Sequence, residues 1–234
     1  MAAPTPWRQH QRRPEPDQPA TPLLTAHARR PAAILAGACL VVVVALGVAT
    51  AHQSHGMAID RAVDSWITGR NMPGLSPLSL LGGVPAMAVM TALLALGCLA
   101  VRRLSGALLA VIGVLVASGL TEAVLKPLVH RTITVYHYLT YPSGHTTGLF
   151  ALSTALAVVL LGRRTGRPRP AVRIGVVAVA VIVSCAVGFA MIGLDFHYFT
   201  DTIGGAAVGT GVVLGTAFLL DLEVVRHWLG RLSR

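Results

Sequence analysis

Charge is scarce in this chain and lysine all but absent. Only 12% of its 234 residues are charged, about half the share usual in a soluble domain. The acids number nine, and Lys126 is the sole lysine. An ordinary water-soluble fold is thereby excluded. Aromatic residues make up 5%, too few to interleave with the basic residues and stack bases. The net charge of +10 therefore does not mark a nucleic-acid binder; the basic residues sit in short segments between apolar runs. Cysteine is limited to Cys39, Cys98 and Cys185, all inside apolar runs and at spacings unlike any metal motif. They read as small buried hydrophobes, with no disulfide framework and no metal site.

Hydrophobic residues, in contrast, make up 54% of the chain, gathered into blocks long enough to cross a bilayer, which takes roughly 20 residues. Six spans are predicted, at about 32–51, 76–100, 105–125, 143–162, 171–193 and 202–220. The expected fold is an all-α polytopic membrane protein in three parts: a disordered basic tail (1–31), a six-helix membrane domain (32–222) and a short C-terminal tail (223–234). With the N-terminus inside, only Arg61, Arg70, Lys126 and Arg131 of the 19 basic residues fall outside. That bias follows the positive-inside rule and places both termini in the cytoplasm.

Two connections then face outward. Residues 52–75 carry Ile59, Val63, Trp66 and Ile67 at helical spacing, interrupted by Asp60, Arg61 and Asp64. The pattern fits either a short amphipathic helix on the outer leaflet or an irregular loop. Residues 126–142 carry Lys126, His130, Arg131 and His137. In the last span Gly205/Gly209 and Gly211/Gly215 are small-xxx-small pairs, which allow close helix approach within the bundle or across a homodimer, without requiring a dimer.

The ionisable residues crowd this outer rim. Desolvated charge there is costly unless it faces a cavity, a partner or a ligand. His197 and Asp201 are four residues apart and share a face if the helix is continuous. The carboxylate could then fix the imidazole tautomer and leave the other nitrogen free to attack or to accept a proton. A buried hydrogen-bonded pair has the same spacing. In Pro142-Ser143-Gly144-His145, proline suits a first helical turn. The following amides make an anion site to which Ser143 adds a hydroxyl. Gly144 permits close backbone approach, and His145 is placed as a general acid. A plain capped helix start would look alike. Lys126 and Arg131 could stabilise charge on a phosphoryl group; an ion pair with Glu122 and a headgroup anchor are their competing readings.

Together these elements resemble the type 2 phosphatidic acid phosphatase superfamily, which also contains vanadium haloperoxidases. The likeness spans roughly residues 117–211: Lys126 and Arg131 in a first motif, Pro142-Ser143-Gly144-His145 as an intact second, and His197 with Asp201 at the end of a third. The resemblance implies that His197 attacks phosphorus to form a phosphohistidine, with Asp201 holding its ring and His145 protonating the leaving group. It makes Lys126, Arg131, Ser143 and Gly144 the phosphate cradle; apart from the resemblance, His130 and His137 are further candidates at the rim. No metal and no cofactor is implied. Two motif arginines are replaced, by Ile133 and Met191.

The expected activity is hydrolysis of a lipid phosphate or polyprenyl mono- or diphosphate at the outer face of a bacterial plasma membrane. Membrane lipids would be the surroundings and a lipid phosphate the partner, with no nucleic acid. A lipid-linked phosphotransferase and a noncatalytic phospholipid-binding protein are the alternatives. A transporter fits less well, because the charges crowd one interface and not the middle of the membrane.

Overall fold

A computed structural model of the protein describes residues 20–67, 72, 74–133, 138–162 and 169–232. It is helical throughout; among the described residues the only extended pairing is one isolated antiparallel bridge, Thr132 to Leu139. The first helix, α1, runs Ala26–Thr50 and is followed by the short α2, Ala58–Ile67. Next come α3 (Leu75–Ser79), a 3₁₀ turn (Leu80–Gly82) and α4 (Val84–Ala100). A long crossing follows, composed of α5 (Leu104–Gly119), a π-helical stretch (Leu120–Leu125) and α6 (Lys126–Val129). The last four helices are α7 (Gly144–Leu161), α8 (Pro170–Gly193), α9 (Phe199–Leu220) and α10 (Glu223–Leu232).

Five helices are long and apolar enough to cross a membrane, and Leu75–Gly82 with Val84–Ala100 makes a sixth candidate bent by 53°. The bend falls at Gly82-Gly83, just ahead of Pro85 in the first turn of α4, where a missing N–H costs no hydrogen bond. Hydrogen bonds decide whether this pair crosses or re-enters. His52 N–H donates to the Val129 carbonyl at 2.9 Å, so α1 and α6 end on the same side. The chain between them must therefore return, and the bent pair is the segment that does so. At the other end of the bundle Arg103 Nη1 donates to the Val159 carbonyl at 2.8 Å, and Ala20 N–H to the Arg226 carbonyl at 3.1 Å. Both described ends of the chain thus meet on one side, as six crossings require.

Two expected boundaries move. Helix α1 begins six residues early because Arg29 and Arg30 are exposed in its first turns, where a long basic side chain reaches the interface without breaking the helix. The expected tail also shortens. Leu23 and Leu24 are buried, and their amides donate to the two Asp221 carboxylate oxygens at 2.7 and 2.9 Å. Residues 223–234, expected as a tail, contain α10, which docks through the buried Leu229. Residues 1–19 and 163–168, which carry six of the counted arginines, lie outside the described residues.

The core lies where α5, α7 and α9 meet, through the fully buried Leu109, Ala117, Ala151, Ala155, Val213 and Ala217. Small residues let α7 and α9 approach closely: a Cβ at Gly205 would lie 2.5 Å from the Ser143 carbonyl oxygen, and one at Gly209 would strike the carbonyl of Thr147. This pair therefore serves packing within the chain. Large apolar side chains point outward instead, including Leu40 and Val48 of α1, Leu93 of α4, Leu115 of α5 and Ile182 of α8. Such a surface is stable only against hydrocarbon, and the protein is an integral membrane protein.

Candidate active site

Pro127 sets the first wall of the site. It lacks an N–H and its ring would press on the carbonyl four residues back, and the turn ahead of it widens into the π-helical Leu120–Leu125 stretch. Such bulges recur at functional sites. Here the stretch leaves Glu122 and Lys126 one turn apart on a shared cavity wall, joined by a 2.8 Å ion pair. The intrahelical pair weighed from the sequence therefore exists, and it stands inside the cavity.

The second wall is the start of α7. Ser143 is its N-cap, and the hydroxyl accepts from Thr146 N–H at 3.4 Å and from the Thr146 hydroxyl at 3.1 Å. The helix thus starts two residues later than Pro142 would have begun it, and proline lies outside the first turn. Ser143 is fully buried and does not line the cavity; its hydroxyl caps the helix and does not reach toward a ligand. Gly144 does line it. A Cβ there would lie 2.5 Å from Glu122 Oε1 and 3.9 Å from Lys126 Nζ, so only glycine admits the pair so close to the helix start. His145 follows in the first turn and faces the same cavity. Gly82 accommodates it, because a Cβ at that position would sit 2.8 Å from His145 Cδ2.

The third wall is the turn between α8 and α9. Two residues past the end of α8, Asp195 stands in the left-handed region (φ 57°), and the amides of Phe196 and His197 both donate to the Met191 carbonyl, at 3.0 and 3.2 Å. His197 is 7% exposed and packs edge-on against Tyr138, with ring centroids 6.4 Å apart. His197 precedes α9 and Asp201 is the third residue of its first turn, so the pair shares a turn and not a continuous helix face. Asp201 Oδ2 lies 3.8 Å from His197 Nδ1, beyond hydrogen-bond distance, and that buried nitrogen has no hydrogen-bond partner. Asp195 is not its substitute. Burial and the nearby Asp64 carboxylate push the Asp195 carboxyl above the usual carboxylate range.

Lys126, Gly144, His145 and His197 thus come together at one end of a single cavity of about 860 Å³. The rest of its lining is mostly apolar, with Val84, Met87, Ala88, Val111, Val114 and Leu115 supplied by α4 and α5. Met191, at the place of a motif arginine, is a lining residue; Ile133, at the other, is buried elsewhere.

Arg131 and His130, both expected at the site, stand apart from the cavity. Arg131 is fully buried behind His197 and does not line the cavity. Its Nη1 donates to Asp201 Oδ1 at 2.5 Å and to Thr200 Oγ1 at 2.7 Å, its Nη2 to Asp60 Oδ2 at 2.7 Å, and its guanidinium carbon lies 4.3 Å from the centre of the Tyr198 ring. It holds neighbouring carboxylates where a role in the phosphate cradle was expected. His130 is exposed at the end of α6 with φ 50°, its ring 5.9 Å from that of His52, and it too is absent from the cavity wall. His137 lies outside the described residues.

Asp60 and Glu122 were missed as site residues. Asp60 is 2% exposed on α2, whose Ile59 and Trp66 face outward. Its signal was present: it shares an i, i+3, i+7 stripe with Val63 and Ile67, an odd place for one of only nine acids. Among the described residues no group of His, Cys, Asp and Glu could hold a metal ion.

Fold and site together define a membrane-spanning helical bundle with two histidines and a lysine at the polar end of an apolar cavity. The family model described as PAP2 superfamily matches residues 107–222, and the chain belongs to that superfamily. Its fold is similar to that of a transmembrane PAP2-type phosphatidylglycerolphosphate phosphatase from Bacillus subtilis, with a TM-score of 0.65 at 18% identity, covering 79% of this chain and 94% of that one. A search of curated protein sequences found no match.

Proposed function

We propose that this protein is a lipid phosphate phosphatase that works through a phosphohistidine on His197. One observation carries the reading: His145, His197 and Lys126 converge at the polar end of an otherwise apolar cavity of about 860 Å³. Such a cavity suits a molecule with a phosphorylated head and a hydrocarbon tail.

His197 presents Nδ1 toward Asp201, which leaves Nε2 to attack phosphorus in line. As the P–N bond forms, the P–O bond to the lipid breaks, and His145 gives its proton to the departing alkoxide. His145 then takes a proton from water, whose oxygen displaces His197 and releases inorganic phosphate. For Asp201 to steady the imidazolium that develops, the 3.8 Å separation must close to about 3 Å. Lys126 and the amides at the start of α7 hold the equatorial oxygens. The shared Glu122–Lys126 charge and the apolar Met191 favour a monoester over a more highly charged diphosphate. The positive-inside bias of the sequence supports a site at the outer face of the membrane.

The test is phosphate release from a panel of lipid monophosphates and diphosphates by detergent-purified protein, with and without a chelator. Release by wild type, unaffected by chelator and lost in His197→Ala, is the expected result. Folded wild-type protein that releases nothing from any of these substrates contradicts the proposal.

A further inference from the structure

We infer that Asp60 is a positioning residue for the nucleophile: it holds Arg131 and the first turn of α9 so that the Asp201 carboxylate stays available to His197. The inference rests on the phosphatase reading above. Asp60 lies on α2, in the connection between the first two crossings and outside the family match at residues 107–222.

Its carboxylate is fully engaged. Oδ1 accepts from the Thr200 amide at 2.8 Å. Oδ2 accepts from the Met57 amide at 2.8 Å, the Thr200 hydroxyl at 3.0 Å and Arg131 Nη2 at 2.7 Å. The Thr200 amide is the second of α9 and has no partner within its own helix, so Asp60 caps α9 from a distant segment. The next residue is Asp201, whose Oδ2 accepts from Tyr198 N–H at 3.0 Å.

The charges explain why a second acid is needed. Arg131 and Asp201 alone would form a closed neutral pair, with all the guanidinium donors free to turn to Asp201. That would draw the carboxylate away from His197, which already stands at 3.8 Å. Asp60 takes Nη2 and leaves the cluster of two carboxylates and one guanidinium with one net negative charge beside the imidazole. In a buried setting an uncompensated charge of this kind has a long reach. The groups facing His197 from other elements are His145 of α7, Lys126 and Glu122 of the long crossing, and Tyr138; none of them touches Asp60.

The experiment is rapid-quench, pre-steady-state phosphoryl transfer by the full-length protein in detergent, with an excess of a lipid monophosphate that wild type turns over. Burst amplitude gives the active fraction, and burst rate reports attack by His197. Asp60→Asn is expected to slow the burst about tenfold per active site with KM unchanged, because Asp60 does not touch the cavity. In an Asp201→Asn background the same substitution should cost nothing further, and Asp60→Glu should recover part of the rate.

A purely structural Asp60 would lower the amplitude and leave the rate alone, which overturns the inference. So does a loss that simply adds to that of Asp201→Asn. If Asp60→Asn does not fold, Thr200→Ser and Thr200→Val replace it. Serine keeps the oxygen that bridges Arg131 and Asp60 and should keep the wild-type rate, whereas valine should lose about threefold; equal rates overturn the inference. A wild-type protein that releases no phosphate from any lipid monophosphate or diphosphate sinks the phosphatase reading itself.

Discussion

Two polar regions meet at His197 and are built in opposite ways. On one side Asp60, Arg131, Thr200 and Asp201 are all at least 96% buried and hydrogen-bonded to one another. On the other side Lys126, Glu122 and His145 line an open cavity, and the Glu122 side chain is 55% exposed. The closed cluster holds its charges by mutual compensation. The open one has one ion pair and room for a ligand. A charge removed from the first should therefore be felt as lost stability and, through Asp201, as slower attack by His197, and one removed from the second as altered binding or turnover at unchanged stability.

His197 stands at the boundary, and its removal should have the largest effect. His197→Ala is expected to lower phosphate release by at least about a thousandfold while thermal unfolding in detergent stays near wild type. Arg131→Met comes next. It leaves Asp60 and Asp201 buried without their shared cation, and should destabilise the protein by about 3–5 kcal/mol, seen as a lowered Tm. A normal Tm with impaired phosphate binding would return Arg131 to the cradle and erase the contrast between the two regions.

On the open side, Lys126→Met should raise KM and lower kcat, by about 10–100-fold in kcat/KM, with little change in Tm. Glu122→Gln should have the smallest effect and the opposite sign. It releases Lys126 from its partner, and because the pair is partly solvent-screened the gain is modest, about two- to fivefold in kcat/KM. A diphosphate should gain more than a monoester, since it carries more negative charge; an unchanged ratio between the two substrates would remove Glu122 from substrate selection.

The same contrast explains what could be read from the sequence. Apolar runs are local, so the six crossings were legible to within a few residues, and α1 was misjudged only where exposed arginines continue the helix. His145, His197 and Lys126 were legible as site candidates because their chemistry stands out at the end of an apolar run. Arg131 and Ser143 were equally conspicuous, yet both are directed into the protein. Nothing local distinguishes an arginine that meets a ligand from one that meets Asp60, 71 positions away in the chain. Asp60 had only its misplaced position on an apolar stripe as a signal. Glu122 was recognised as an i, i+4 partner of Lys126, but that spacing does not say whether the pair faces lipid, water or a cavity.

The central claim is that His197 carries the phosphoryl group. The direct test is a single turnover of a lipid monophosphate quenched in alkali, which preserves phosphohistidine, followed by mass spectrometry of the fragment containing residue 197. A phosphoryl group on His197 that forms within the burst and decays as inorganic phosphate appears, and that is absent in His197→Ala, is the expected result. Phosphate release at an undiminished rate by His197→Ala, with no adduct on wild type, would contradict the account.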